Sequence, residues 1–464
     1  MKRLTHIGSA LFVLAVVCLP AAHARQQTTP PTDTQTPPGT GQGGQQKEPA
    51  SPVLGVVPTI TGGLSPNVGD SGSTQSQIKA GVQYSELFDS NFQNSNGTAG
   101  WNAISIVGGY FDLQRSGANS AQLFSYSGGA YIDPKNSAFD SSYHQLQASE
   151  TLQFRRLTLQ LVDSFSFLPQ SSFGFGGGGF GGSPFLGITL LNPEFIPGQG
   201  ILTTNAGRLS NSALVQAQYA SSQRTVWTFS GSYGLLHFTS PGFLNSAEYG
   251  FSAGYNYQLT ARDIIGASFL FDALRFSPAL ASLNNSTINF NYGRHITDEL
   301  MFQVGAGPQL SQFNPVGAPS IGTRFAWNLN AGLSYLHGHT TTNVSFVHGV
   351  TGGAGILVGA TTNMVTVGVS HPFGAYTIVT GSFGASGNSA LPQAVGTSTS
   401  YTTEYASIGL SRKLGQNASI FTSYFFTRQT ANGVACTGAV CGPQVLRHQI
   451  YVGFSWDMQP KPLR

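Results

Sequence analysis

Polar and apolar residues alternate with a period of two along most of this sequence. In the clearest segment, apolar side chains occupy every second position from Phe325 to Tyr335, and small or polar side chains fill the positions from Arg324 to Ser334. The segment from Glu248 to Leu259 has the same alternation. Because successive side chains of a strand point to opposite faces, this period predicts β-strands with one apolar and one polar face.

The alternating segments are numerous. We count about eighteen between residues 76 and 458, within the even-numbered range of bacterial outer-membrane barrels. One missed or added hairpin would change the count to sixteen or twenty. Short turns such as Arg155-Arg156 alternate with longer loops, as in barrels whose short turns lie in the periplasm. We therefore predict an all-β fold, an antiparallel transmembrane β-barrel of about eighteen strands, with sixteen as an alternative and with a long third external loop.

Composition favours the same fold. Charged residues form 8% of the chain, against roughly 25% in a typical soluble domain. An outward face in lipid needs few charges, whereas a soluble protein this poor in charge would be hard to keep in solution. Beyond the N-terminus the sequence has no run of about eighteen apolar residues, which excludes a membrane-spanning helix. Since lipid permits only helices and closed barrels as spanning structures, the barrel remains.

The N-terminus is typical of a secretory signal. Lys2 and Arg3 precede an apolar core from Ile7 to Leu19, and Ala22-His23-Ala24 has the form of a cleavage site. We expect residues 1–24 to be removed during export through the inner membrane. Cleavage leaves a nearly neutral chain, which does not imply a nucleic-acid partner.

The mature chain divides into an arm, a barrel and a tail. Residues 25–75 are rich in Gln, Thr, Pro and Gly, with few apolar side chains before Val53. Such a segment cannot bury enough surface to offset its ordering entropy, so we predict a disordered periplasmic arm. The barrel is expected to cover residues 76–458, and residues 459–464 form a C-terminal tail.

Two cysteines remain after cleavage. Cys436 and Cys441 stand in the segment CTGAVC, within a loop that contains Gly and Pro. In an oxidising envelope a disulfide that closes this loop is the natural expectation. No other Cys or His lies in the loop, which argues against a metal site there. We predict neither a metal nor another cofactor.

One face of the last predicted strand, residues 446–457, carries four apolar side chains: Ile450, Val452, Phe454 and Trp456. This strand resembles the closing strand of Gram-negative outer-membrane barrels, whose glycine and alternate aromatic residues the barrel-assembly machinery recognises. The resemblance implies that this machinery is a partner during biogenesis and that the protein resides in outer-membrane lipid. The tail that follows departs from the family pattern, in which the chain ends at the last aromatic residue.

The longest interruption of the alternation is the Gly-rich stretch 169–207, whose only charge is Glu194. It joins the fifth and sixth predicted strands, and its Pro-Glu-Phe segment resembles the tip of the third loop of general porins, although the Gly-Gly that follows there is absent here. In that family the third loop bends into the lumen. The resemblance implies a constriction in which Glu194 and Phe195 face basic lumen residues, for which Arg324 and Arg447 are the candidates. The alternatives are a surface flap and a contact between protomers.

Two acidic residues fall on the face that is predicted to contact lipid. In the hairpin of the fourth and fifth strands, Glu150 and Asp163 share the parity of apolar residues such as Leu159 and Leu161. An ionised carboxylate in lipid is costly, most of all near the midplane. Either a bulge turns both acids inward, or this face contacts a second copy of the chain in a homo-oligomer.

Function follows from the barrel. No nucleophile, base and orienting group can be singled out, and the Gly-rich stretch lacks the Lys and Ser/Thr of a phosphate-binding loop, so we predict that the protein is not an enzyme. Barrels of roughly eighteen strands enclose water. We expect a porin-like channel for passive diffusion of small hydrophilic solutes, narrowed by 169–207. The alternative is polysaccharide export or surface binding and adhesion, since Tyr84 to Asn91 resembles the opening strand of exopolysaccharide-associated outer-membrane barrels.

Overall fold

The computed structural model describes residues 76–94, 100–136, 140–168, 201, 206–277, 281–314, 322–352, 355–391, 399–432 and 444–463. All of them belong to one compact unit, Leu54–Arg464. The expected signal peptide, the expected disordered arm and the expected disulfide between Cys436 and Cys441 lie outside the described residues.

Eighteen long strands and one two-residue strand make up the described chain. Their bounds are β1 Gln77–Asp89, β2 Asn102–Ser116, β3 Ser120–Ile132, β4 Ser141–Gln153, β5 Leu157–Leu168, β6 Arg208–Ser222, β7 Thr225–Phe238, β8 Asn245–Gln258, β9 Asp263–Ser277, β10 Ser282–His295, β11 Leu300–Asn314, β12 Thr323–His337, β13 Thr340–Thr351, β14 Ala360–Phe373, β15 Thr377–Ala390, β16 Ser400–Lys413, β17 Ala418–Asn432, β18 Gln444–Asp457 and β19 Lys461–Pro462. Within the described residues, no helix is long and apolar enough to cross a bilayer.

The long strands form one closed antiparallel ring. Each pairs with its neighbours in the sequence, and β1 pairs with β18 from Gly81 opposite Asp457 to Asp89 opposite Gln449. Closure matters because an open edge would leave backbone N–H and C=O groups unpaired in lipid. The prediction of an all-β antiparallel barrel with eighteen strands is confirmed.

The two ends of the barrel differ in their connections. Short turns such as 154–156 and 338–339 lie at one end, where β1 begins and β18 ends. The other end carries longer connections, which include 169–207 and 352–359. Since bacterial barrels have short periplasmic turns and longer external loops, the short-turn end is the periplasmic one.

The two faces of the wall have different chemistry. Large apolar side chains are exposed at alternate positions on the outer face, among them Phe290, Phe325 and Trp327. The inner positions between them carry small or polar residues such as Ser252 and Asn289. The parity predicted for β8, β12 and β18 is the parity of the structure.

The C-terminal tail is attached to the barrel. Lys461–Pro462 forms β19, which pairs antiparallel with Gln77 and Ile78 at the periplasmic end of β1. The backbone N–H of Leu463 donates to the carbonyl oxygen of Ser76 at 2.8 Å. The tail therefore pairs the part of β1 that extends beyond the end of β18.

Adjacent residues in the middle of β12 provide a test of the two faces. Leu329 faces outward and Asn330 faces the lumen. We expect Leu329→Arg to lower the free energy of unfolding by about 2–4 kcal/mol, because it places a basic side chain near the bilayer midplane. Asn330→Arg should have a much smaller effect, since its side chain remains in the lumen. Urea unfolding in lipid vesicles, followed by tryptophan fluorescence, measures both; equal losses would contradict the assignment of faces.

Candidate functional site: the lumen and its external mouth

The external end of β13 leaves the wall of the barrel. Pairing of β11 with β12 continues up to Gln312 opposite Thr323, whereas pairing of β12 with β13 ends at Leu329 opposite His348. Beyond that point the backbone N–H of Val350 donates to Oε1 of Gln309, 3.2 Å away on β11. Because Gln309 faces the lumen, the end of β13 passes behind β12 on the inside of the barrel.

The β13–β14 loop, residues 352–359, then crosses the external mouth. The N–H of Leu244, in the β7–β8 loop, donates to the carbonyl oxygen of Gly355 at 2.8 Å. Strand β7 lies six strands from β13 in the ring of eighteen, so the loop spans much of the lumen. Gly355 has φ +80°, and a Cβ at this position would collide with the ring of Phe238. Glycine is required there for both reasons.

Apolar side chains fill the mouth around this loop in three clusters. Their buried members are Ala206, Leu236, Phe238 and Phe243 in the first, Leu274, Phe276, Ala281, Leu283, Phe313 and Leu391 in the second, and Ile201, Leu357, Ala360 and Tyr401 in the third. Val350 and Val358 pack against the second cluster, and Leu357 belongs to the third. Residues at both ends of the β13–β14 loop are thus held by contacts with several sides of the barrel.

The long loop 169–207 reaches the same region. Of its residues, the structure describes Ile201, Ala206 and Gly207. Ile201 is 1% exposed and packs in the cluster that contains Ala360 of β14 and Tyr401 of β16. These strands lie across the ring from β5 and β6, which the loop connects. Ile201 therefore lies within the mouth. Glu194 and Phe195, the residues expected at the constriction, lie outside the described residues.

The two basic residues expected to face them have different surroundings. Arg324 is exposed at the external end of β12, opposite the lumen-facing Ser311. Arg447 is 2% exposed and forms an ion pair with Asp89, which is fully buried. A paired and buried guanidinium presents little charge to a solute. Arg447 consequently contributes to the wall, whereas Arg324 is available to the lumen.

The ion pair of Arg447 joins the first and last strands. Nε of Arg447 donates to both carboxylate oxygens of Asp89, at 3.1 and 3.0 Å, and Nη2 donates to Oδ2 at 2.5 Å. Nη1 donates to Oδ1 of Asn94 at 3.0 Å, and Nε2 of Gln449 donates to Asp89 at 2.8 Å. Asn94 has φ 51°, in the left-handed region that asparagine tolerates better than most residues. The network therefore fixes the start of the β1–β2 loop against β18.

An apolar patch adjoins this network on the lumenal face. Its buried members are Leu87, Phe92, Ile104, Ile106, Tyr131, Tyr143, Leu168 and Tyr451. They come from both sides of the β1–β18 closure and include the last residue of β5, from which the long loop departs. The patch was not predicted. Its sequence signal is the presence of apolar residues such as Leu87 and Ile104 at positions with lumenal parity.

Asparagine and glycine alternate around the lumenal face of β8–β12. One row of paired residues reads Asn256, Gly266, Asn291, Gly305 and Asn330. Oδ1 of Asn291 and Oδ1 of Asn330 lie 2.5 and 2.7 Å from the position that a Cβ of Gly305 would take. The amides therefore lie flat over the glycines of neighbouring strands. The row lines this part of the wall with hydrogen-bonding groups and contains no bulky side chain.

Glu150 and Asp163 lie on the outer face. Glu150 is paired with Leu161, and Asp163 with Ala148 and Ala213. The ladders from β3 to β6 run without a register shift, so the alternative in which a bulge turns the acids inward is wrong. Nε2 of Gln122 donates to Glu150 at 2.9 Å, and Nδ2 of Asn211 donates to Asp163 at 2.7 Å. Each carboxylate has a neutral polar partner on the same face.

No group of three or more His, Cys, Asp or Glu side chains in the described part of the chain could hold a metal ion. No protein-family model matches the sequence, and no curated protein matches it.

Solved structures of Gram-negative outer-membrane barrels do match. OccK2 (OpdF) of Pseudomonas aeruginosa, also solved in complex with glucuronate, is 9% identical, and the match covers 82% of this chain and 98% of that one with a TM-score of 0.43. OpdQ of the same organism is 10% identical over 84% and 99% of the two chains, with a TM-score of 0.42. The unliganded ferric citrate transporter FecA is 9% identical over 83% and 79%, with a TM-score of 0.44.

Removing Arg447 tests the closure network. Arg447→Met should lower the free energy of unfolding by about 3–5 kcal/mol, because it leaves the buried carboxylate of Asp89 without its counter-charge. The double variant Arg447→Met with Asp89→Asn should recover most of this loss, and the control Arg324→Met should change little because Arg324 is exposed. Urea unfolding in vesicles measures all three. The same loss in the single and double variants would contradict the role of the ion pair.

Proposed function

We propose that the protein is a porin-like channel through which small hydrophilic solutes diffuse passively across the outer membrane. One observation carries the proposal: a closed ring of eighteen strands has its apolar face outside and its polar face inside. A barrel of this size encloses a lumen that water can fill. The polar inner wall offers hydrogen bonds to solutes in that lumen, while the wall itself satisfies its backbone groups through the ladder.

The proposed channel is narrowest at its external mouth. The crossing of the β13–β14 loop to Leu244 and the burial of Ile201 support a constriction that two loops share. In this proposal Glu194 and Phe195 of the long loop line the passage, and the exposed Arg324 supplies a positive charge across it. Charges of both signs at a constriction tune ion selectivity through their local field.

The route to the membrane is part of the proposal. Residues 1–24 act as a cleaved export signal, and the assembly machinery reads the alternating aromatic residues of β18. A disulfide between Cys436 and Cys441 closes the loop between β17 and β18 in the oxidising envelope.

The outer face of β3–β6 supports a contact between copies of the chain. Glu150 and Asp163 bring two carboxylates to this face, and their neighbours Ala148 and Ala213 are small. Facing lipid, these carboxylates would be poorly solvated. Against a second copy, they could accept hydrogen bonds from its polar groups, and the alanines would allow close approach. We therefore propose a homo-oligomer that uses this face.

Conductance in planar bilayers tests the channel and its constriction. Deleting residues 353–358, or separately 174–199, should raise single-channel conductance several-fold, because each deletion removes chain from the narrowest part of the passage. The double deletion should raise it further. Heat-modifiable migration on gels provides the control for folding. Unchanged conductance in both deletions would contradict the constriction, and a silent membrane with folded wild-type protein would favour export or adhesion instead.

Cysteine cross-linking in native membranes tests the homo-oligomer. Leu161→Cys lies on the outer face beside Glu150, and we expect it to give an intermolecular disulfide. The matched control Phe251→Cys is outward-facing on β8, away from the proposed contact, and should give none. Absence of a dimeric product from both Leu161→Cys and Leu159→Cys would count against this face as an interface.

A further inference from the structure

The lumenal face of β10 carries a column of hydrogen-bonding side chains. Between Leu283 and Gly293, every lumen-facing residue is polar and uncharged, and we name this set the amide column: Asn285, Thr287, Asn289 and Asn291. Each is between 1% and 4% exposed. A strand buried against other protein would normally carry apolar residues at such positions.

Several polar atoms in and beside the column have no hydrogen-bond partner among the described residues. They are Oδ1 of Asn285, Asn289 and Asn291, both amide atoms of Asn256, and the hydroxyl of Ser311. One amide of the column is engaged, since Nδ2 of Asn291 donates to Oγ of Ser268 at 3.1 Å. Leaving a buried polar group without a partner costs free energy, so these atoms have hydrogen-bonding capacity in reserve.

The charges around the column limit which solutes could form hydrogen bonds with these atoms. Lumen-facing positions of the described strands β8–β11 carry neither Lys nor Arg, while Asp272 stands opposite Asn285 and Glu248 lies on β8. The reserve atoms are mainly carbonyl oxygens, which accept hydrogen bonds. An anionic solute would meet no basic side chain on the lumenal face of these strands and would offer acceptors to acceptors. A neutral solute rich in O–H donors matches the site.

The column stands directly below the crossing loop. Leu283, the residue above it on β10, belongs to an apolar cluster of the mouth. Gln309, which pairs with Thr287, accepts the hydrogen bond from Val350 at the point where β13 leaves the wall. A solute held beside the amide column would thus occupy the lumen on the periplasmic side of the constriction.

We propose that the amide column is a binding site for a neutral polyhydroxylated solute, a sugar or polyol. Hydroxyl groups of such a solute donate to the free Oδ1 atoms and accept from the amide N–H groups, so one solute can engage several members of the column. This inference rests on the proposed channel, because it names the class of solute that the channel takes.

The test compares two uncharged solutes of similar size in planar bilayers containing the full-length protein. Raffinose presents many hydroxyl donors, whereas a polyethylene glycol of matched hydrodynamic radius presents almost only ether acceptors. Raffinose added to both compartments should block the ion current saturably, and the polyethylene glycol should lower it only in proportion to solution conductivity. The double variant Asn289→Leu with Asn291→Leu should weaken the raffinose block at least ten-fold. The control Asn343→Leu removes a lumen-facing amide outside the column and should stay within two-fold of wild type.

Calorimetric titration of folded protein in detergent with raffinose repeats the comparison without requiring an open channel. If the double variant does not fold, Asn291→Ser replaces it and should give a smaller loss of affinity. Equal effects of raffinose and polyethylene glycol, or full raffinose affinity in the double variant, would overturn the site. Saturable block by ammonium ions without any by raffinose would overturn it in favour of a cation site. Ion conduction without raffinose binding would contradict the sugar site but not the channel. Raffinose binding without ion conduction would contradict the channel but not the sugar site.

Discussion

The structure depends on the need to pair every backbone N–H and C=O group that meets lipid. Eighteen strands meet this need only as a closed ring, and the ring closes where β1 meets β18. That junction is reinforced at both ends: by the buried ion pair of Asp89 and Arg447 on the external side, and by the pairing of β19 with β1 on the periplasmic side. Closure brings residues from the two ends of the barrel sequence next to each other, so both interactions depend on it.

Within the closed ring, a strand can give up its backbone hydrogen bonds to a neighbouring strand only where water or protein covers the released N–H and C=O groups. The external end of β13 makes such a departure. It gives up pairing with β12 above His348, and the N–H of Val350 donates a hydrogen bond to Oε1 of Gln309 inside the barrel. The external residues of β12, including Phe325 and Trp327, remain paired with β11 and keep their outer face exposed. The same departure that narrows the mouth therefore leaves the pairing of β12 with β11 unchanged.

Much of the fold could be predicted from the sequence because the decisive signal is local. The period of two gave the strands and their faces, and short turns alternating with long loops gave their orientation. The same parity placed Glu150 and Asp163 on the outer face, as found. The role of Arg447 could not be predicted in this way. Its counter-charge, Asp89, lies at the other end of the barrel sequence, and only closure brings the two side chains together.

The crossing of the β13–β14 loop was missed for a related reason. Its sequence, GGAGILVG, has no length or charge that distinguishes it from an ordinary surface turn. Its path is determined by distant residues, since Phe238 and Leu244 meet Gly355 only across the lumen. The long loop is conspicuous in the sequence because of its length. Ile201 of this loop packs with Leu357 of the shorter loop. The two loops therefore meet at the contact between Ile201 and Leu357.

The asparagine and glycine rows connect the shape of the lumen to its chemistry. Glycines such as Gly305 leave space into which the amides of Asn291 and Asn330 lie flat. A larger residue at Gly305 would push these amides into the lumen, narrowing it and changing the direction of their hydrogen bonds. The width of the passage and the orientation of its acceptors are therefore set by the same residues. Because these amides carry no charge, the proposed binding of a neutral solute would lack the strong attraction that slows the release of an ion.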